Sequence, residues 1–141
     1  QKKKKMANYK ESISKVLKHE GGYVNDPDDK GGETYKGISR KNWKVWSGWK
    51  IIDNSKSLAN FPKCLYVNTL LNEYVVDFYK RNFWDPVGGD NIKDQDIANM
   101  LVDAAVLEGI KPAVKRAQRI VGISQSGEFS EELKIKLNSL V

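Results

Sequence analysis

The sequence predicts a mainly α-helical domain with a small β-hairpin or loop region after the first helix. Three observations carry this expectation. Apolar residues recur at helical spacing along much of the chain, polar caps precede several of those stripes, and a stretch rich in glycine and aspartate interrupts them after residue 20.

Ile13, Val16 and Leu17 place the first helix from about Ala7 to His19 or Glu20. Gly21-Gly22 closes it, because glycine adopts the left-handed conformation of a helix C-terminus. Asn25-Asp26-Pro27-Asp28-Asp29 and Gly31-Gly32 then mark a tight polar loop or hairpin turn. Ser39 reads as the N-cap of a short helix carrying Trp43 and Trp46. Ser47 to Lys63 reads as irregular, punctuated by Gly48, Asn54-Ser55, Asn60 and Pro62. Leu70, Leu71, Tyr74, Val75 and Phe78 form the apolar stripe of a helix from about Thr69 to Lys80. Asp94 caps the next, with Ile97, Leu101, Ala104 and Ala105 facing the core. Pro112 suits a first helical position and Gly122 the position past the end. Ser130-Glu131-Glu132 is a cap followed by first-turn acids, ahead of Leu133, Leu137 and Leu140.

A chain of 141 residues fits one compact domain. Residues 1–6, with four consecutive lysines at 2–5, read as a flexible basic tail, and residues 7–141 as the domain. No run approaches the roughly 20 apolar residues needed to cross a bilayer, and no secretory signal is visible. Cys64 is the sole cysteine, which excludes an internal disulfide and fits a buried structural role. With His19 the sole histidine, a catalytic zinc site is not expected, and no cofactor is implied. The net charge of +6 favours polyanionic partners, among them nucleic acid and the anionic bacterial wall. Part of that charge lies in the tail, and Lys10, Lys15 and Lys18 read as a solvated helix face, so nucleic acid is not expected. A monomer is.

Glu20 is the residue with the clearest chemical signal. It falls on the apolar side of its helix, at the negative end of the helix dipole. Desolvation and the dipole both favour its protonated form, as a general acid requires. A solvated glutamate that merely ends its helix is the plain alternative. The loop behind it can fold back a second carboxylate, Asp29, and a hydroxyl, Thr34. Glycosidic hydrolysis needs a proton for the leaving oxygen and a group acting on the opposite side of the sugar. Asp29 could orient water, stabilise positive charge or form a nucleophile, or it could simply shape the turn through an Asx-type bond. Thr34 could hold water or be an ordinary strand threonine. Asp26 and Asp28 read as loop acids, since the twelve-residue calcium-loop pattern is absent.

The segment His19-Glu20-Gly21-Gly22-Tyr23, followed by Asp26-Pro27-Asp28-Asp29-Lys30-Gly31-Gly32-Glu33-Thr34 and Gly37-Ile38, closely resembles the signature of glycoside hydrolase family 108, the lysozyme-like N-acetylmuramidases. The order Glu, Asp, Thr is also similar to that of phage-type lysozymes. Phe83-Trp84-Asp85-Pro86 with Gly89-Asp90, Asp103-Ala104-Ala105-Val106 with Gly109, and Ala117-Gln118-Arg119 resemble later family segments. Leu107 stands where members usually carry Asn, and Ser124 to Phe129 only approximates the family's later glycine turn.

The resemblance implies a lysozyme-like fold, with residues 110–141 similar to a shortened peptidoglycan-binding helical region. It implies Glu20 as catalytic acid, with Asp29 and Thr34 opposite it. On the residues themselves, Tyr23 and Tyr35 offer apolar faces that could flank a sugar subsite, although Tyr is also common in cores, and Trp84 reads as the best cleft tryptophan. Asp103 reads as making a structural hydrogen bond to the active-site loop or bordering the cleft. The implied activity is hydrolysis of the β-1,4 bond between N-acetylmuramic acid and N-acetylglucosamine in peptidoglycan strands, at the bacterial cell wall. Family members include phage endolysins and bacterial proteins linked to secretion. The rival expectation is a noncatalytic peptidoglycan-binding or secretion-accessory protein on the same scaffold.

Overall fold

The structure, a computed structural model, describes residues 5–141. Lys2, Lys3 and Lys4 of the expected basic tail lie outside the described residues. The fold is mainly α, with seven α-helices and one small three-stranded antiparallel sheet among the described residues. No helix of the described residues is long and apolar enough to cross a membrane. The described chain divides into two compact units: Leu17–Phe78, and residues 5–16 together with Tyr79–Val141.

Helix α1, Tyr9–His19, runs from one unit into the other. Its stripe of Ile13 and Val16 is buried, and so is Ser12. The Leu17–Phe78 unit continues with strands β1 (Tyr23–Asn25), β2 (Glu33–Tyr35) and β3 (Ile38–Ser39), paired in that order. Tyr23 lies opposite Tyr35 and Tyr35 opposite Ile38, whereas Val24 lies opposite Thr34 and Thr34 opposite Ser39. Residues directly across a sheet share a face, and neighbours along a strand do not. One face therefore buries Tyr35 and Ile38 completely. The other presents half-buried Thr34 beside Val24, which is 45% exposed. Lys36 and Gly37, both with positive φ, make the tight β2–β3 turn.

The helix expected to start at Ser39 does not form there. Ser39 is used in β3, opposite Thr34, and the chain then runs through turns to α2, Gly48–Ser55. Trp49 and Ile52, one helical turn apart, are the buried residues that hold α2 within the stretch expected to be irregular. Trp43 and Trp46 pack edge-on against Phe78, with Trp46 also edge-on to Trp49. They are supporting aromatics. Two further helices, α3 (Lys63–Tyr66) and α4 (Thr69–Tyr79), complete the unit. Leu71, Val75 and Phe78 of α4 are buried, while Leu70 is half exposed. Cys64 is only partly buried.

In the second unit, a π-helical turn at Lys80–Trp84 leads to α5 (Gln95–Glu108), α6 (Ile110–Ile120) and α7 (Glu131–Asn138). The expected caps are present: Asp94 accepts the Ile97 N–H at 2.9 Å, and Ser130 accepts the Leu133 N–H at 3.1 Å. Gln95, Ser12 and Asn99 hydrogen-bond one another and join the first turns of α1 to α5. Buried Gln118 clamps the turn at 124–129, accepting the Gly127 N–H and donating to Ser126 and the Glu128 carbonyl.

Candidate active site

Glu20 follows the last residue of α1 and is half-buried. The backbone after it is held from two sides. Lys36 donates its N–H to the Gly22 carbonyl at 3.1 Å, and the Tyr23 N–H donates to the Tyr66 hydroxyl at 3.0 Å. Between β1 and β2, the Asp29 N–H donates to the Asp26 carbonyl and the Gly32 N–H to the Asp29 carbonyl, each at 3.0 Å. The Asp29 carboxylate is exposed, and its Oδ1 accepts the Gly31 N–H at 2.9 Å. The turn-shaping bond thus engages one oxygen of Asp29. Thr34 lies on the more open face of the sheet.

Glu33 of β2 is a heavily bonded carboxylate. Its side chain is 10% exposed and receives Arg40 at 2.9 Å, Lys56 at 2.8 Å and the Tyr23 hydroxyl at 2.6 Å. Arg40 also makes a two-pronged pair with Asp53 at 2.7 and 2.8 Å, and Lys56 reaches Asp53 at 3.0 Å. Two carboxylates and two cations therefore balance, tying β1, β2, the turn after β3 and α2 together. Burial pushes Glu33 up, but the bonds from Lys56, Tyr23 and Arg40 outweigh it and hold the carboxyl below its ordinary value. Glu33 is consequently ionised and engaged, which unsuits it to proton donation. Burial and the Glu33 bond raise the Tyr23 phenol.

This clamp carries a prediction for stability. Glu33→Gln is expected to cost about 1–3 kcal/mol, read by chemical denaturation, because it removes a charged acceptor from three donors. A carboxyl depressed in the folded state stabilises fully above its ordinary value of 4.5, and that contribution fades as pH falls through the lower folded value. The gap between wild type and variant should therefore close only in acid, below pH 4.5. An unchanged gap down to complete acid unfolding would contradict the assignment.

Burial corrects two of the expected substrate contacts, Tyr35 and Trp84. Tyr35 is fully buried, its hydroxyl donating to Asn72 Oδ1 at 3.1 Å and lying 3.4 Å from the Leu65 carbonyl. Burial pushes its phenol up to about 12. Tyr23 shares that face of the sheet and packs edge-on against Phe61, its hydroxyl committed to Glu33. Trp84, expected in the cleft, is fully buried in the other unit; its indole N–H donates to Asp90 at 2.8 Å and its ring packs against Tyr9. Asp103 is exposed on α5, since it projects away from the buried stripe of Ala98, Leu101, Val102 and Ala105.

The face Glu33 shares with Tyr35 was readable from strand alternation alone. The role of Tyr66, which contacts the chain beside Glu20, carried no local signal: it lies 43 residues from its partner Tyr23.

Residues 13–109, more than half of the chain, match the glycosyl hydrolase 108 family. The chain belongs to that family. Glu20, Asp29 and Thr34 all lie within the matched region, whereas residues 110–141 lie beyond it. Among solved structures the chain is similar to SagA of Brucella abortus, with a TM-score of 0.67 and 27% identity over 94% of this chain and 70% of that one. No curated protein matches it. As a glycosyl hydrolase 108 domain, the protein carries a glycosidase scaffold, and family and fold together support a peptidoglycan hydrolase. Among the described residues no group of three or more His, Cys, Asp or Glu side chains is placed to hold a metal ion.

Proposed function

We propose that the protein is an N-acetylmuramidase that hydrolyses the β-1,4 bond between N-acetylmuramic acid and N-acetylglucosamine. Glu20 donates its proton to the leaving glycosidic oxygen as the bond to the anomeric carbon breaks. Asp29 and Thr34 act on the opposite side of the sugar, where the hydroxyl of a water ends on that carbon and its proton is taken up by carboxylate. The observation that carries this reading is the half-buried Glu20 at the end of α1, joined by a pinned glycine pair to a hairpin with Thr34 on its open face.

The protein would act at the bacterial cell wall. In the same reading residues 110–141 contribute wall affinity, with Lys111, Lys115 and Arg119 exposed on α6. Mass analysis of fragments released from peptidoglycan tests the proposal, with Glu20→Gln as control. Fragments ending in reducing N-acetylmuramic acid are expected. Reducing N-acetylglucosamine or anhydro ends would overturn the bond or the hydrolytic step. Wall binding with no new reducing ends would mark a noncatalytic binding protein instead.

A further inference from the structure

Tyr66, the last residue of α3, is placed against the usual habit of tyrosine. An amphipathic tyrosine ordinarily buries its ring and leaves its hydroxyl in water. Here the hydroxyl is held by the backbone, accepting the Tyr23 N–H at 3.0 Å, while the residue remains 41% exposed. The ring is also held at its base. It lies nearly parallel to Tyr35, at 17° and 6.1 Å between centroids, and the Tyr66 carbonyl accepts Asn72 Nδ2 at 3.1 Å. Asn72 in turn accepts the Tyr35 hydroxyl. An aromatic ring fixed at both ends gives up little further freedom when a ligand stacks on it.

The ring also lies flush against the backbone that carries the proposed acid. A Cβ at Gly22 would fall 2.3 Å from the Tyr66 hydroxyl oxygen and 2.9 Å from the ring carbon bearing it. Glycine at 22 is thus what admits the ring. Gly22 is two residues after Glu20, so their Cα atoms are at most about 7 Å apart. Neither Tyr23 nor Tyr35 can supply an aromatic surface here, since both point to the packed face of the sheet.

We propose that Tyr66 is the aromatic platform of the sugar subsite beside Glu20, stacking on the apolar face of an N-acetylated pyranose. This rests on the muramidase reading and adds a substrate-positioning residue to it. The test is steady-state hydrolysis of soluble peptidoglycan strands by Tyr66→Ala and Tyr66→Phe, with thermal unfolding of each. Tyr66→Ala should raise KM on the order of tenfold with a smaller change in kcat. Tyr66→Phe loses the bond to Tyr23 but keeps the ring, and should recover most of that KM. Equal KM rises in the two variants, or a wild-type KM in folded Tyr66→Ala, would overturn the proposal.

Should Tyr66→Ala fail to fold, titration of Glu20→Gln with a peptidoglycan tetrasaccharide decides the matter by NMR. The Tyr66 ring protons should shift on binding, and binding without such a shift would refute the platform. If wild type releases no reducing ends, the muramidase reading fails on its own. The titration still tests the subsite independently of turnover.

Discussion

Replacing Glu20 with glutamine is expected to lower the rate of reducing-end release from peptidoglycan by about 10²–10⁴-fold, with the fold retained. Glutamine keeps the size of the side chain and its capacity to hydrogen-bond. What it loses is a proton acidic enough to pass to the leaving sugar oxygen, which would otherwise depart as a strongly basic alkoxide. A loss of that size corresponds to about 3–5.5 kcal/mol of transition-state stabilisation. It should fall on kcat, because substrate binding does not require the transferable proton. Wall binding and the unfolding midpoint should stay close to wild type. A folded Glu20→Gln protein that solubilises peptidoglycan at the wild-type rate would sink the assignment. Glu33→Gln is the informative contrast. Glu33 acts through position, so its variant should lose stability and retain turnover above that of Glu20→Gln.

The largest effect on stability is expected at Trp84. Its indole is fully buried, lies against Tyr9, and donates to Asp90 at 2.8 Å. It also presses on Gly89 so closely that a Cβ there would come within 2.2 Å of the ring. Trp84→Ala should cost about 3–5 kcal/mol, the sum of lost transfer energy and an unfilled cavity. Against a typical total of about 5–15 kcal/mol, that loss is large enough to unfold much of the population on mild heating. Asp90 adds little to the cost because its side chain is 66% exposed and water replaces the indole donor. Urea denaturation measures the effect as a lower midpoint. A shift below about 1 kcal/mol would show that the indole is not the keystone its burial indicates.

What could be read in the sequence was local. The Asp94 and Ser130 caps are where expected, because a cap needs only a side chain and the N–H three residues on. The stripe of α4 followed from spacing alone. Helix α1 does end before Gly21-Gly22, but neither glycine takes the left-handed conformation expected of a closing residue. Ser39 misled for an instructive reason. Its Oγ does accept the Asn42 N–H, three residues on, at 3.4 Å, but the backbone of Ser39 pairs with Thr34 and the chain then turns without continuing into a helix. Thr34 and Tyr35 were both expected at the substrate, yet adjacent strand residues point to opposite faces. Alternation alone could have removed one of them.

The sequence by itself determined the helical class, the glycine-framed loop after Glu20 and the family, because each is written in residues close along the chain. Only the tertiary structure decided which aromatic rings reach solvent and which carboxylate is already engaged. Trp84 and Tyr35 became core, Glu33 became a clamp for Arg40, Lys56 and Tyr23, and Tyr66 came to lie beside the chain that follows Glu20. Burial and pairing depend on which distant segments meet, and the partners of Tyr23 and Glu33 lie up to 43 and 23 positions away, at Tyr66 and Lys56.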